Sequence, residues 1–215
     1  MNHYLFPIVL ALAFVALYWI FCRWHSKGGG KLTKAEIDRY IAIIERLPLP
    51  AKETKAFCVR IRAWAEADDG RPVYMLNLIS FFKELHSFPG APEFKGAPQE
   101  ANAYYEKAIR RLWLSHAAYP TFSGIPQAGN LVNIQPEREW GEVVICRYSN
   151  RRTFLKLLAD PEYGPKAPYK FMAVGLDLVP VAAHRISPDW RVLVGVSLLI
   201  LFLAINWLRI ALVTS

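Results

Sequence analysis

The chain has 215 residues, a formal net charge of +8 and a hydrophobic share of 53%. With an apolar segment set aside at each end, the remainder suits one domain of ordinary size, and no zinc-finger or recognition-helix pattern turns the basic balance into a nucleic-acid reader. Cys22, Cys58 and Cys146 make no CxxC pair and no even set, which excludes a disulfide scaffold and fits reduced thiols.

Leu5 to Cys22 (LFPIVLALAFVALYWIFC) holds no charge, close to the minimum span of a hydrocarbon core, and Tyr18, Trp19 and Trp24 gather at one end as an interfacial belt. The leading MNHYLF has no Lys or Arg and no small-x-small site follows, so an uncleaved anchor is expected over a signal peptide. Phe21 before Cys22 argues against a lipoprotein site. Ser26 to Lys31 reads as a flexible glycine connector. It lacks the strand and the Ser or Thr of a phosphate loop. Thr33 and Glu36 form a capping box ahead of Ile37, Ile41 and Ile44 on one helical face. After Leu47-Pro48-Leu49-Pro50, the residues Phe57, Ile61 and Trp64 mark a second amphipathic helix, ended by Asp69-Gly70. This pair is a supporting hairpin or a docking element for a partner.

From Arg71 the periodicity changes. Val73 to Phe81 is a strand, Lys83 to Pro98 a Pro/Gly-punctuated loop, and Glu100 to His116 a helix with Tyr105, Ile109, Leu112 and His116 on one stripe. Tyr119 to Ser123 and Glu142 to Tyr148 are strands. Ser149-Asn150 caps a helix over Arg151 to Ala159, another helical turn covers Lys166 to Val174, and Leu176 to Val181 is the last strand. This order predicts an α+β, ferredoxin-like split βαβ domain: a four-stranded antiparallel sheet with helices on one face. Its other face is best covered by a second copy. Ser187-Pro188-Asp189 then supplies a helix start for a second span, Val192 to Leu208, with Arg209 placed to snorkel. The expected layout is residues 1–24 as transmembrane helix 1, 25–70 as linker and hairpin, 71–184 as the ferredoxin-like domain and 185–215 as transmembrane helix 2.

Arg23, Lys27, Lys31 and Lys34 follow the first span, and Arg185 and Arg191 precede the second, whereas the outer tips carry only His3 and Arg209. The positive-inside bias therefore predicts an inner (plasma) membrane protein with a cytoplasmic central domain and both termini outside. Basic flanks add attraction to anionic headgroups, at about 1 kcal/mol per residue near the surface.

The stretches VYMLNLISF, YYEKAIRRL with SHAAYPTFSG, and WGEVVICRYSNRRTFLKLLADPEYGPKAPYKFMAVGLDLVPV together resemble a domain-of-unknown-function family of the dimeric α/β-barrel superfamily. The resemblance covers Pro72 to Val181, apart from the Lys83 to Pro98 loop, and leaves the hairpin and both spans outside it. It implies a homodimer through the sheet face and a cleft between sheet and helices, but no one reaction. Relatives include cofactor-independent monooxygenases, haem-degrading enzymes and isomerases. Asn77 resembles a first-strand asparagine of the haem-degrading branch, yet RRTFLKLLADPEY lacks that branch's haem-ligating histidine. No cofactor is indicated by motif.

Three residues are candidates for catalysis. Asn77, polar within an apolar strand, either donates to a ligand oxygen or is satisfied by a neighbouring strand, since an unpaired buried amide costs about 1–3 kcal/mol. His116 is a general base or a helix C-terminal cation. Arg147, alternating with Val143 and Ile145, either clamps a carboxylate or makes an edge-of-sheet ion pair. For ligand binding, Tyr105 and Tyr163 either place hydroxyls at the cleft rim or pack in the core. His86, Phe88 and Phe94 on the long loop form a lid or decorate a solvated insertion. Neither HxxxH nor HExxH occurs, so no metal site is expected. Two functions remain in play: a domain that binds, and in one version transforms, a small apolar or aromatic molecule from the bilayer, and a non-catalytic accessory protein recruiting a membrane partner.

Overall fold

A computed structural model describes residues 5–27, 29–131, 139–183 and 189–214. The chain falls into two compact units, Met1–Ser26 with Ala183–Ser215, and Lys27–Ala182.

The first unit pairs two long helices, α1 (Leu5–His25) and α7 (Trp190–Thr214), both long and apolar enough to cross a membrane. Phe14 meets Phe202 edge-on at 6.4 Å, and Gly195 sits against Tyr18, where an added Cβ would come within 3.3 Å of the ring. Arg209 lies over Phe6 at 5.4 Å. Contacts that run backward along one helix as they run forward along the other make the pair antiparallel. Outward-facing Leu12, Val15, Trp19, Leu199 and Leu203 stay exposed. Asp189 accepts from the N–H of Arg191 at the start of α7. The Ser187 and Pro188 of the expected cap, like Arg185, lie outside the described residues.

The second unit opens with α2 (Lys34–Ile44), α3 (Ala51–Glu66) and β1 (Val73–Phe81), then α4 (Pro98–Ser115), β2 (Tyr119–Gly124) and β3 (Glu142–Tyr148). It closes with α5 (Arg151–Leu158), α6 (Ala167–Phe171) and β4 (Val174–Val181). The capping box forms as read: Glu36 N–H donates to Thr33 Oγ1 at 3.3 Å and Thr33 N–H to Glu36 Oε2 at 3.0 Å. The sheet order is β2-β3-β1-β4 with every neighbour antiparallel, the split βαβ arrangement. Several boundaries differ from the sequence reading: α4 starts at Pro98 rather than Glu100, and the junction of α6 with β4 moves as well. Helix α6 ends at Phe171, and β4 begins two residues early because Val174 and Gly175 pair with Phe81 and Ser80.

Alternation along β1 sorts the sheet. Val73, Met75, Asn77 and Ile79 turn toward the helices, opposite Tyr148, Cys146, Val144 and Glu142 on β3. Ile79, Ile109 and Leu155 are fully enclosed there, each contributing about 1.5–3 kcal/mol by leaving water. The hairpin shares this core: Ile37, Ile41, Ile44, Cys58 and Ile61 are buried in the same cluster, and Trp64 stands edge-on to Phe154 at 5.8 Å.

The glycine connector is held along its described part. Arg152 donates to the carbonyls of Gly29 (2.7 Å), Gly30 (3.0 Å) and Lys31 (2.6 Å), a clamp that replaces the expected flexibility there. Its Nε also meets Glu36 Oε1 at 2.9 Å, which holds the Glu36 carboxyl down at about 2. Arg151 donates to the carbonyl of Trp64, lies over its ring and reaches Asp68 at 3.8 Å.

Candidate functional site

The helix-side face of the sheet is apolar except around Asn77 and Glu142, where polar groups from four elements gather. Asn77 of β1 donates its amide to the carbonyls of Met75 (3.0 Å) and Val144 (3.3 Å). Both amide hydrogens are thereby taken up by strand carbonyls, and what Asn77 presents to the helices is its oxygen. Lys170 of α6 donates to that oxygen at 3.3 Å, with its ammonium group 5.4 Å from the centre of the Tyr105 ring. Lys170 is 8% exposed, and among the described residues no carboxylate lies within 4.0 Å of its nitrogen. Burial lowers its pKa, against a smaller upward pull from Cys146, Glu106 and Glu142.

Asn102 of α4 is 2% exposed and bridges the two nearby acids, donating to Glu106 at 3.0 Å and to Glu142 at 3.4 Å. Its own carbonyl oxygen is buried with no hydrogen-bond partner. Burial, with Glu106 close by, raises the Glu142 carboxyl above its usual range. The Cys146 thiol, also facing the helices, is pushed up to about 11 by burial, so it is no ready nucleophile. A native core seldom leaves a polar atom wholly enclosed and unmatched, because the lost hydration costs about 1–3 kcal/mol. Two such imperfectly matched groups, the Lys170 amine and the Asn102 carbonyl, share one acidic neighbour in Glu142.

The other sequence candidates lie elsewhere. Arg147 points to the opposite face of the sheet from Asn77, together with Val143 and Ile145, and packs over Tyr119 at 5.6 Å. The apolar residues it alternates with belong to the outer face, not to the helix-covered core. His116 ends α4, where its Nε2 lies 2.9 Å from Asp160 Oδ2 in the turn after α5. Asn77, Arg147 and His116 therefore do not converge on one site. Tyr105 and Tyr163 are enclosed rather than at a rim, and burial raises both hydroxyls, that of Tyr163 up to about 12.

The long loop is tied down at several points. His86 stacks on Phe82 at 3.7 Å while its backbone N–H donates to the Met172 carbonyl at 2.8 Å. Phe94 packs with Tyr104 (6.2 Å) and Tyr169 (5.9 Å), joining the loop to α4 and α6. Gly90, at φ +92, lies where a Cβ would meet Pro48 Cβ at 2.9 Å. Phe88 is partly buried.

Sequence reasoning passed over Lys170, Asn102, Glu106 and Glu142. One signal was available: APYKFMAV sets a lone lysine in an otherwise apolar stretch. Asn102 and Glu106, four apart on α4, show only once the helix is placed on the sheet.

Fold and site together define an α+β protein of the split βαβ type, with a buried polar cluster on its helix side and two apolar helices. No protein-family model matches this chain, and no curated protein does. Among solved structures it is similar to a protein of unknown function from Rhodopseudomonas palustris, with 22% identity and a TM-score of 0.50 over 65% of this chain and 98% of that one. The methylated form of that protein aligns with 23% identity and a TM-score of 0.51, over 65% of this chain and 96% of that one. A cofactor-independent oxygenase from Streptomyces nogalater aligns at 16% identity and a TM-score of 0.33, over 55% of this chain and 99% of that one. The first two likenesses speak for the fold alone, and the third carries no argument.

Proposed function

We propose that this chain is a two-span membrane protein whose globular unit binds a small apolar or aromatic molecule bearing an oxygen group at the Asn77–Lys170 cluster. In this reading the unit lies on the cytoplasmic side of the inner membrane, with both termini outside, and draws its ligand from the bilayer. The antiparallel pairing of α1 and α7 supports a layout in which both connections to the globular unit leave the membrane on one side. Dimerisation belongs to the same proposal. The outer sheet face offers Leu76, Leu78, Val143 and Ile145, with Phe122, Val179 and Val181 exposed around them, as the surface for a second copy in the manner of a dimeric α/β barrel.

The observation that carries the binding reading is Lys170: a buried amine that gives one hydrogen to Asn77 and faces no carboxylate at ion-pair distance among the described residues. Its remaining hydrogens suit a carbonyl or phenolate oxygen, and the Tyr105 ring beside it, with Met75 and Val144 around Asn77, suits an apolar body. Thermal unfolding of the full chain in lipid nanodiscs tests it, with acetophenone-type ketones set against hydrocarbons of equal size. The ketones are expected to raise the midpoint, by about 2.7 kcal/mol of stability at 100 times Kd, and the hydrocarbons to leave it unchanged. Identical responses to both sets contradict the proposal.

A further inference from the structure

We propose that Lys170 takes the carbonyl carbon of a hydroxyaryl aldehyde or ketone in a covalent imine, with Asn102 holding the ligand's hydroxyl. This rests on the reading of the cluster as a small-molecule site and adds the bond that forms there.

An imine needs an amine with a free lone pair, and an amine held by a carboxylate is an ammonium without one. The short segment around α6 contains both situations. Lys166 is paired with Glu162 at 2.8 Å and reaches solvent. Lys170, one turn on, is enclosed, and its hydrogen-bond partner is the neutral oxygen of Asn77, which accepts from –NH2 as well as from –NH3⁺. Desolvation favours the uncharged amine further. Asn77, its own amide fixed by two strand carbonyls, aims the nitrogen.

The step balances without an oxidant. The lone pair of Lys170 Nζ attacks the carbonyl carbon, the π pair moves to oxygen, and one N–H proton follows it to give a carbinolamine. The C–O bond then breaks as the C=N bond forms, and the second N–H proton leaves with the hydroxyl as water. Glu142 lies within electrostatic reach of Lys170 and, with its carboxyl held above its usual range by burial, is the acid that hands a proton to the departing hydroxyl and recovers it from nitrogen. Asn102, linked to Glu142 at 3.4 Å, keeps a buried carbonyl oxygen with no donor, and a phenolic O–H on the ligand supplies one. That pairing is the reason for a hydroxylated rather than a plain aryl carbonyl.

Reductive trapping in the full chain decides the matter without a variant that must fold. Protein in nanodiscs is treated with 4-hydroxybenzaldehyde and sodium cyanoborohydride, and the adducts are mapped by mass spectrometry of peptides. 4-Hydroxybenzamide, which forms no imine, is titrated in parallel by thermal shift. Lys170 is expected to be labelled on the order of tenfold faster than the exposed Lys107 and the paired Lys166, and benzaldehyde to label it more slowly than its hydroxylated analogue. Lys170→Arg is expected to abolish that adduct alone. If adducts fall on exposed lysines and Lys170 stays unmodified while 4-hydroxybenzamide binds saturably, the imine is overturned and the small-molecule site stands. If neither reagent engages the protein, both readings fall.

Discussion

At the start of α5, Arg151 and Arg152 are packed against the hairpin with carboxylates and carbonyls on nearly every donor: Glu36, Asp68, Gly29, Gly30, Lys31 and Trp64. On α6, Lys170 is buried more deeply, yet its hydrogen bond goes to one amide oxygen. The same physics governs both places. The cost of taking a charge from water must be offset by an opposite charge and good hydrogen bonds, or the group shifts toward its neutral form. Near α5 the compensation is complete, and the cations tie the connector and the hairpin to the rest of the unit. Near α6 it is partial, and the remaining capacity is what a ligand would use.

Four substitutions sharpen or break that contrast, from the largest effect down. Leu155→Ala on α5 and Ile109→Ala on α4 remove fully enclosed side chains. Each is expected to cost about 2–5 kcal/mol by denaturant unfolding. Equal losses would show that the two regions are equally well packed and differ only in their polar groups. Arg152→Ala should cost about 2–3 kcal/mol, since it strands Glu36 and frees three connector carbonyls at a partly exposed site. It should also speed limited proteolysis between residues 27 and 31, and a connector equally resistant without Arg152 would break the clamp.

Glu36→Gln is milder, at about 1–2 kcal/mol, with a signature in pH. Because the folded carboxyl titrates at about 2 instead of its ordinary 4.5, its contribution is present above pH 4.5 and is lost as pH falls from there toward 2. The variant should show a shallower fall in stability over that window, measured as unfolding midpoints. A parallel fall in both proteins would mean that the Glu36–Arg152 pair contributes nothing.

The fold could be read from sequence because its signals are local. Val73–Phe81 is rich in apolar and aromatic residues, Glu142–Tyr148 runs into Ser149-Asn150, and Thr33 with Glu36 announces a helix start. The site was less legible because it depends on which face each strand turns inward. Asn77 and Arg147 both read as polar residues in apolar strands, but the register that sets Asn77 opposite Val144 and Tyr74 opposite Arg147 sends the two to opposite faces. One residue of phase separates a cluster member from an outer-face cation. Lys170 escaped notice because α6 has only five residues, too few for periodicity to reveal a buried side. His116 was on the right stripe, but its partner, Asp160, lies 44 residues away in the chain.

Lys170→Met offers the most direct measurement of the contrast between compensated and uncompensated cations. Methionine nearly keeps the length and removes the amine, so that relief from burying the amine offsets the hydrogen bond that Asn77 Oδ1 loses. The expected result is a stability within about 1 kcal/mol of wild type, or above it, together with loss of the ketone-dependent rise in unfolding midpoint. A variant destabilised as much as Arg152→Ala that still responds to the ketone would make Lys170 a structural cation like those of α5, and would contradict the account.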